Sequence, residues 1–294
     1  MLDSFIAFAN GPYAIWTLAA VYFSLVGGER IYAALFRRGE YDNREALCSV
    51  ALNLMNSLIW MGVGILLPIA LYWLVYENAR LFTVDHVLIA IVIAFVVHEL
   101  SYYTEHRISH RVGLFWAFHT IHHSANQFNH TVAARGFVLD GYLQSIFALV
   151  AALLGVSPLI YFAVSFTNKI YGIWNHASYV GHLGVLERYF ATPRNHMVHH
   201  GTEGKYIDRN YSQVLIIWDR LFGTFAPYEE TPRVGLIEPV HDVNPLTAQF
   251  VGIAQLKAKI DSAERWQDKL GYLWRPPEWS HKTQSPAPHS VPAE

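Results

Sequence analysis

Residues 86–123 read HVLIAIVIAFVVHELSYYTEHRISHRVGLFWAFHTIHH, and the change of character along them decides the fold. From His86 to Tyr103 the run is apolar and close to the ~20 residues a helix needs to cross a hydrocarbon core. His106 and His110 follow at once, so the helix is expected to continue about two turns beyond the bilayer, with both imidazoles on one face. After a short link come His119, His122 and His123, within the aromatic stretch Phe115, Trp116 and Phe118. A third cluster, His196, His199 and His200, repeats the H-x-x-H-H pattern. Side chains at i, i+3 and i+4 share a helix face, so each cluster can aim its rings at one place. Imidazole ligates iron, copper, zinc and nickel. Eight such rings exceed the needs of one ion and predict a pair.

The rest of the chain fits a polytopic membrane protein. Of 294 residues, 53% are hydrophobic and 15% charged, against about 25% charged in soluble domains. Further apolar runs lie at about 12–36 and 46–76, the second containing Gly62, Gly64 and Pro68, which predict a bend near Pro68. Another runs from about Phe137 to Trp174, interrupted by Gly155 and Ser157-Pro158, and predicts two short helices that span as a hairpin or re-enter. The fold class is therefore all-α, with four or five transmembrane helices and a cytoplasmic helical cap, at about Leu183 to Phe225, holding the histidine-rich site. Met1-Leu2-Asp3-Ser4 lacks the positive flank of a signal peptide, so the first run is expected to remain as a span. Arg37, Arg38 and Arg44 follow the first run, and Arg107 and Arg111 the third, which puts the N-terminus outside and the histidines on the cytoplasmic face. Trp218 to Gly223 reads as a helix end stopped by glycine. An amphipathic helix is expected near 248–270, and the Pro- and Ser-rich tail from Pro276 is expected to be disordered.

Other readings are excluded or bounded. A formal charge of −2 gives no argument for nucleic acid. Cys48 stands alone, so there is neither a disulfide framework nor a cysteine metal site. His86, His241 and His289 are isolated and read as surface histidines. His176, at the end of the 137–174 run, is a candidate ninth ligand, and His130 and His182 are further candidates. Ligating histidines need partners for their outer ring nitrogens; Asn129, Asn175, Asn195, Asp208, Asn210 and Asp219 are candidates, each of which could equally be a helix cap or surface residue. His98 and Glu99 end an apolar run, where ionisable groups are costly and usually functional. They lie about two turns before His106 and suggest a supporting or channel role.

These motifs resemble the fatty acid hydroxylase/sterol desaturase superfamily of integral-membrane di-iron proteins. Tyr102-Tyr103-Thr104-Glu105-His106-Arg107-Ile108-Ser109-His110 is similar to its first box, and Phe115 to Ser124 to its second. Asn195 to Gly201, continuing through Tyr206-Ile207-Asp208-Arg209-Asn210-Tyr211 to Trp218-Asp219-Arg220, is similar to its third box and trailing signature. The resemblance covers about residues 94–227. It implies an N-terminal group of membrane helices (1–93), a catalytic segment (94–227), a peripheral segment (228–275) and a tail (276–294). The nearest branches are the alkylglycerol monooxygenase-like and bacterial sterol desaturase-like members. Ala125-Asn126, Ala134-Arg135-Gly136 and Ala177-Ser178 stand where the alkylglycerol branch carries two glutamates and a glutamine, which weighs against an ether-lipid substrate and against tetrahydrobiopterin as cofactor.

What the resemblance implies is an O2-dependent lipid hydroxylase. Two iron ions, held mainly by histidine, would use O2 and two electrons from a separate reductase, ferredoxin or cytochrome to oxidise a lipid C–H bond. Desaturation at the same site is the alternative within the class. A membrane zinc hydrolase is the alternative outside it, although no H-E-x-x-H is present and one zinc would leave most of these histidines unused. A non-catalytic metal carrier is the third.

Overall fold

The computed structural model describes residues 2–37, 41–60 and 66–282. Among the described residues the chain is helical, with no β-strand and one isolated bridge between Gly201 and Val234. Helices α1 (Leu2–Ala9) and α2 (Tyr13–Phe36) lead into α3 (Asn43–Ile59), α4 (Leu66–Ala79) and α5 (Val87–Arg111). The last, free of Gly and Pro, runs unbroken from the apolar stretch through His106 and His110. Helix α6 (Gly113–His123) follows after one extended residue, Val112. Among the described residues α2 and α5 are long and apolar enough to cross a membrane.

The second apolar run holds two described helices. These are α3 and α4, and Pro68 is the third residue of α4. The bend expected near Pro68 adjoins residues 61–65, which include Gly62 and Gly64 and lie outside the described residues. The 137–174 run forms α7 (Asp140–Leu153) and α8 (Pro158–Trp174). Gly155 turns between them with φ +82°, and an added Cβ there would lie 2.1 Å from the Phe82 carbonyl oxygen.

Small residues set the spacing of the central helices. Ala94, Ala148, Ala151 and Ala152 pack with Tyr72, Val156 and Tyr161 in one buried cluster joining α4, α5, α7 and α8. Alanines let helix backbones approach closely where no water drives them together. Buried charges tie this bundle to the loops around the histidines. Glu29 of α2, 2% exposed, accepts from the His130 N–H at 2.7 Å and from the Ser178 N–H and Oγ at 3.1 and 2.8 Å. Glu45 of α3 accepts from the Asn126 backbone and side-chain amides. The buried Arg135 guanidinium donates to the Ile121 carbonyl and the hydroxyls of Ser49 and Ser124. Each charge is satisfied by several partners, as a buried charge requires.

Beyond α9 (Pro193–His199) and α10 (Ile217–Leu221), the C-terminal segment folds back on α6. The helix expected over 248–270 is two: α12 (Val251–Asp261), following the short α11 (Pro245–Ala248), and α13 (Trp266–Trp274). Gly252 of α12 lies so close to α6 that a Cβ would meet the Ala117 carbonyl oxygen at 2.2 Å. The expected disorder from Pro276 does not begin there. Trp279 packs edge-on against Tyr272, and Lys259 Nζ donates to the Pro277 carbonyl. Contacts with the folded body thus outweigh local composition through Lys282; residues 283–294 lie outside the described residues.

Candidate metal centre

Nine histidines converge in two sets. His106, His110, His119, His123 and His199 form one; His122, His176, His196 and His200 form the other. Within each set the candidate ligand nitrogens all lie within 4.8 Å of one another. The sets adjoin, with the rings of His123 and His200 stacked at 4.4 Å between centroids.

The H-x-x-H-H repeat shows how two helices serve two sites. On α6, His119 and His123 stand four apart and enter the five-membered set, whereas His122, turned about 100° from its neighbour, enters the other. At the end of α9 the pattern inverts: His196 and His200 enter the four-membered set and His199 the five-membered one. Each helix thus contributes an i, i+4 pair to one set and a single ring to the other. His106 and His110 come from α5, and His176 from just beyond α8.

Outer ring nitrogens fix the inner ones. Nδ1 of His106 donates to the Tyr211 carbonyl and Nδ1 of His199 to the Arg209 carbonyl, both at 2.8 Å. Nδ1 of His122 donates to the Arg135 carbonyl and Nδ1 of His176 to the Gly172 carbonyl, both at 3.0 Å. A ring whose Nδ1 carries the proton presents a bare lone pair at Nε2. Two of those Nε2 atoms, on His122 and His176, face each other at 3.4 Å, and further ring nitrogens close in: the Nε2 of His196 lies 3.0 Å from that of His176, and the Nε2 of His123 lies 3.2 Å from that of His199. Nε2 of His106 and of His119 are buried without a protein partner. Lone pairs directed at lone pairs in a dry site are satisfied by cations, so the donor chemistry fits bound metal. Burial, reinforced by the neighbouring imidazoles, holds His119, His123, His196, His199 and His200 well below the usual 6.5. Burial also lowers His122 to about 4. The neutral form, which binds metal, is thereby favoured.

These sites lie inside a recognisable sequence unit. The fatty acid hydroxylase family profile matches residues 91–224, which include all nine histidines. The chain carries a fatty acid hydroxylase domain. It is 35% identical over 188 residues to an alkylglycerol monooxygenase of Danio rerio, covering 64% of this chain and 42% of the relative. The Homo sapiens alkylglycerol monooxygenase matches at 35% over 186 residues, 63% and 42% of the two chains. An ornithine lipid hydroxylase of Rhizobium tropici matches at 29% over 149 residues, 50% and 45%. The matched stretch spans under half the length of each of these relatives. No solved structure matches the chain.

Within the fatty acid hydroxylase domain, the other residues singled out by sequence take varied places. Asp208 lies 3.6 Å from His110 Nδ1 and pairs with Arg111. Burial opposes its ionisation, but these two partners outweigh it and hold its carboxyl below the usual range. Asp219, fully buried, accepts from the N–H groups of Tyr211 and Ser212 and from Thr224 Oγ1. Glu99 accepts from the N–H groups of Val214 and Leu215, anchoring the same loop to α5. Asn210 is left-handed (φ +56°) and bridges the Asn195 and Ala226 backbones, while Asn175 donates to the Gln213 carbonyl. Asn195 accepts from Thr192 Oγ1 through its side chain, and Asn129 caps the short helix His130–Ala134.

Three other candidate histidines stay outside the sets. Nδ1 of His130 donates to the Ile173 carbonyl, with Nε2 3.3 Å from the Tyr179 hydroxyl. His182 pairs with Glu187, and His98 contacts Gln213. Sequence reasoning missed the four carbonyls that orient the rings, at Arg135, Gly172, Arg209 and Tyr211. Every residue has a carbonyl, so side-chain identity gave no signal.

Proposed function

We propose that the chain is a membrane-bound lipid hydroxylase whose two histidine sets hold two iron ions, His106, His110, His119, His123 and His199 around one, and His122, His176, His196 and His200 around the other. The observation that carries this is the pair of adjoining, all-imidazole sets with inward lone pairs. Bound iron supplies the chemistry that side chains lack, reduction of O2 coupled to oxidation of an unactivated C–H bond. The balance is R–H + O2 + 2e⁻ + 2H⁺ → R–OH + H2O. The electrons come from a separate carrier, a reductase, ferredoxin or cytochrome. The protein keeps the imidazoles neutral, fixes their Nε2 atoms through backbone carbonyls and buries the site from water. The relatives' names, alkylglycerol monooxygenase and ornithine lipid hydroxylase, support a lipid substrate. Arg107 and Arg111 at the end of α5 support a cytoplasmic placement of the site.

The test is metal analysis of the purified protein together with comparative lipidomics of deletion and overexpression strains. Iron in both sets and a lipid gaining one oxygen is the expected result. Loss of two hydrogens instead would assign desaturation. Zinc without iron after iron-replete expression would overturn the oxygenase reading in favour of a hydrolase.

A further inference from the structure

A cavity of about 870 Å³ is walled by α1, α2, α5 and α8. Its lining is almost wholly apolar, with Phe5, Leu25, Phe95 and Ile160 among its walls. Along α8 it extends from Ile160 to Trp174, about 21 Å of helical rise. Trp174 and Val214 mark the end next to the metal centre. Trp174 stands two residues before His176, and Val214 follows Gln213, whose carbonyl accepts from Asn175. The cavity is therefore lined, at the end of α8, by a residue two positions before His176, a member of the four-histidine set.

One residue in this lining is out of keeping with the rest. Thr167 donates to the Ala163 carbonyl and Tyr171 to the Ala191 carbonyl, so both hydroxyls are satisfied within the protein. Asn168 is 3% exposed, and its Nδ2 has no hydrogen-bond partner. An amide left unpaired in an apolar wall is destabilising, and a ligand that completes it recovers the loss.

We infer that this cavity binds a single hydrocarbon body carrying an oxygen group, and that the Asn168 amide holds that oxygen. A hydroxyl suits it best, since it can accept from Nδ2 and donate to Oδ1. Asn168 lies six residues before Trp174, the last residue of α8, about 9 Å of rise. The anchored oxygen is thus remote from the carbon presented at the histidines, and the favoured substrate is an already oxygenated lipid oxidised far from its existing oxygen. This rests on the oxygenase reading for the chemistry, but the binding does not depend on it.

Binding is measured on the full-length purified protein under anaerobic conditions without an electron donor, by native mass spectrometry of retained octadecan-1-ol against octadecane. The wild type should retain the alcohol about three- to tenfold better, the worth of one hydrogen bond. Asn168→Leu should abolish that preference while still retaining the alkane. Val164→Trp, which fills the cavity from another turn of α8, should lower retention of both. Equal retention by the wild type, a preference that survives in folded Asn168→Leu, or undiminished retention by Val164→Trp would each overturn the proposal. Turnover is not read, so failure of the oxygenase reading would leave these outcomes intact.

Discussion

His106 and Asp219 are joined through the backbone of a single residue, Tyr211. The imidazole donates to the Tyr211 carbonyl at 2.8 Å, and the Tyr211 N–H donates to the Asp219 carboxylate at 2.8 Å. Asp219 also takes the Ser212 N–H and the Thr224 hydroxyl, so it fixes the loop whose carbonyl orients a ring. Asp219→Asn replaces an acceptor with a donor among three donors. Metal affinity should fall about 10- to 100-fold, the usual effect of losing an outer partner, measured by chelator competition on folded protein. An unchanged affinity would show that the carboxylate supports the loop but not the ring.

The inverted contributions of α6 and α9 make the two sets separately addressable. His119→Ala removes a ring from the five-membered set and His196→Ala one from the four-membered set. Each variant should lose iron chiefly from its own site, with hydroxylation abolished in both. His130→Ala, whose ring bonds Ile173 and Tyr179 instead, should keep its iron. Elemental analysis per chain reads all three. Equal iron loss from His130→Ala would show that the sets are wrongly drawn.

The course of α5 and α6 was legible because an apolar run and i, i+4 histidines share one helical period. His176 was legible from its position at the end of an apolar helix. His130 was open to the same reading, yet its ring turns to a carbonyl and a tyrosine hydroxyl, a choice made by loop packing. Which ring joins which set depends on how α6 and α9 face each other, information that spacing alone does not hold. The folded stretch up to Lys282 depends on tertiary contacts that local composition does not report.

Acidification should destabilise the metal-free protein in a defined window. His122 is held at about 4 in the fold against 6.5 when free, so between those values the unfolded chain binds the extra proton. Stability from this group is complete above about pH 6.5 and is lost as pH falls toward 4, on the order of 3 kcal/mol in all. The other lowered histidines and Asp208 act with the same sign. Thermal midpoints of metal-stripped protein should therefore drop steadily from pH 6.5 to 4.5. A flat profile across that range would contradict neutral buried imidazoles.

The contact between Gly252 and Ala117 couples the C-terminal segment to the histidine helix. A methyl group at 252 would meet the Ala117 carbonyl oxygen at 2.2 Å and Thr120 Cβ at 2.8 Å. Backbone cannot yield as a flexible side chain would, so Gly252→Ala must push α12 away from α6, at a cost of about 1–3 kcal/mol. Because α6 carries His119, His122 and His123, the displacement should loosen both sets together. The variant should melt at lower temperature and release iron to a chelator faster than wild type. A lowered melting temperature with unchanged release would show that α12 stabilises the fold without steadying the site.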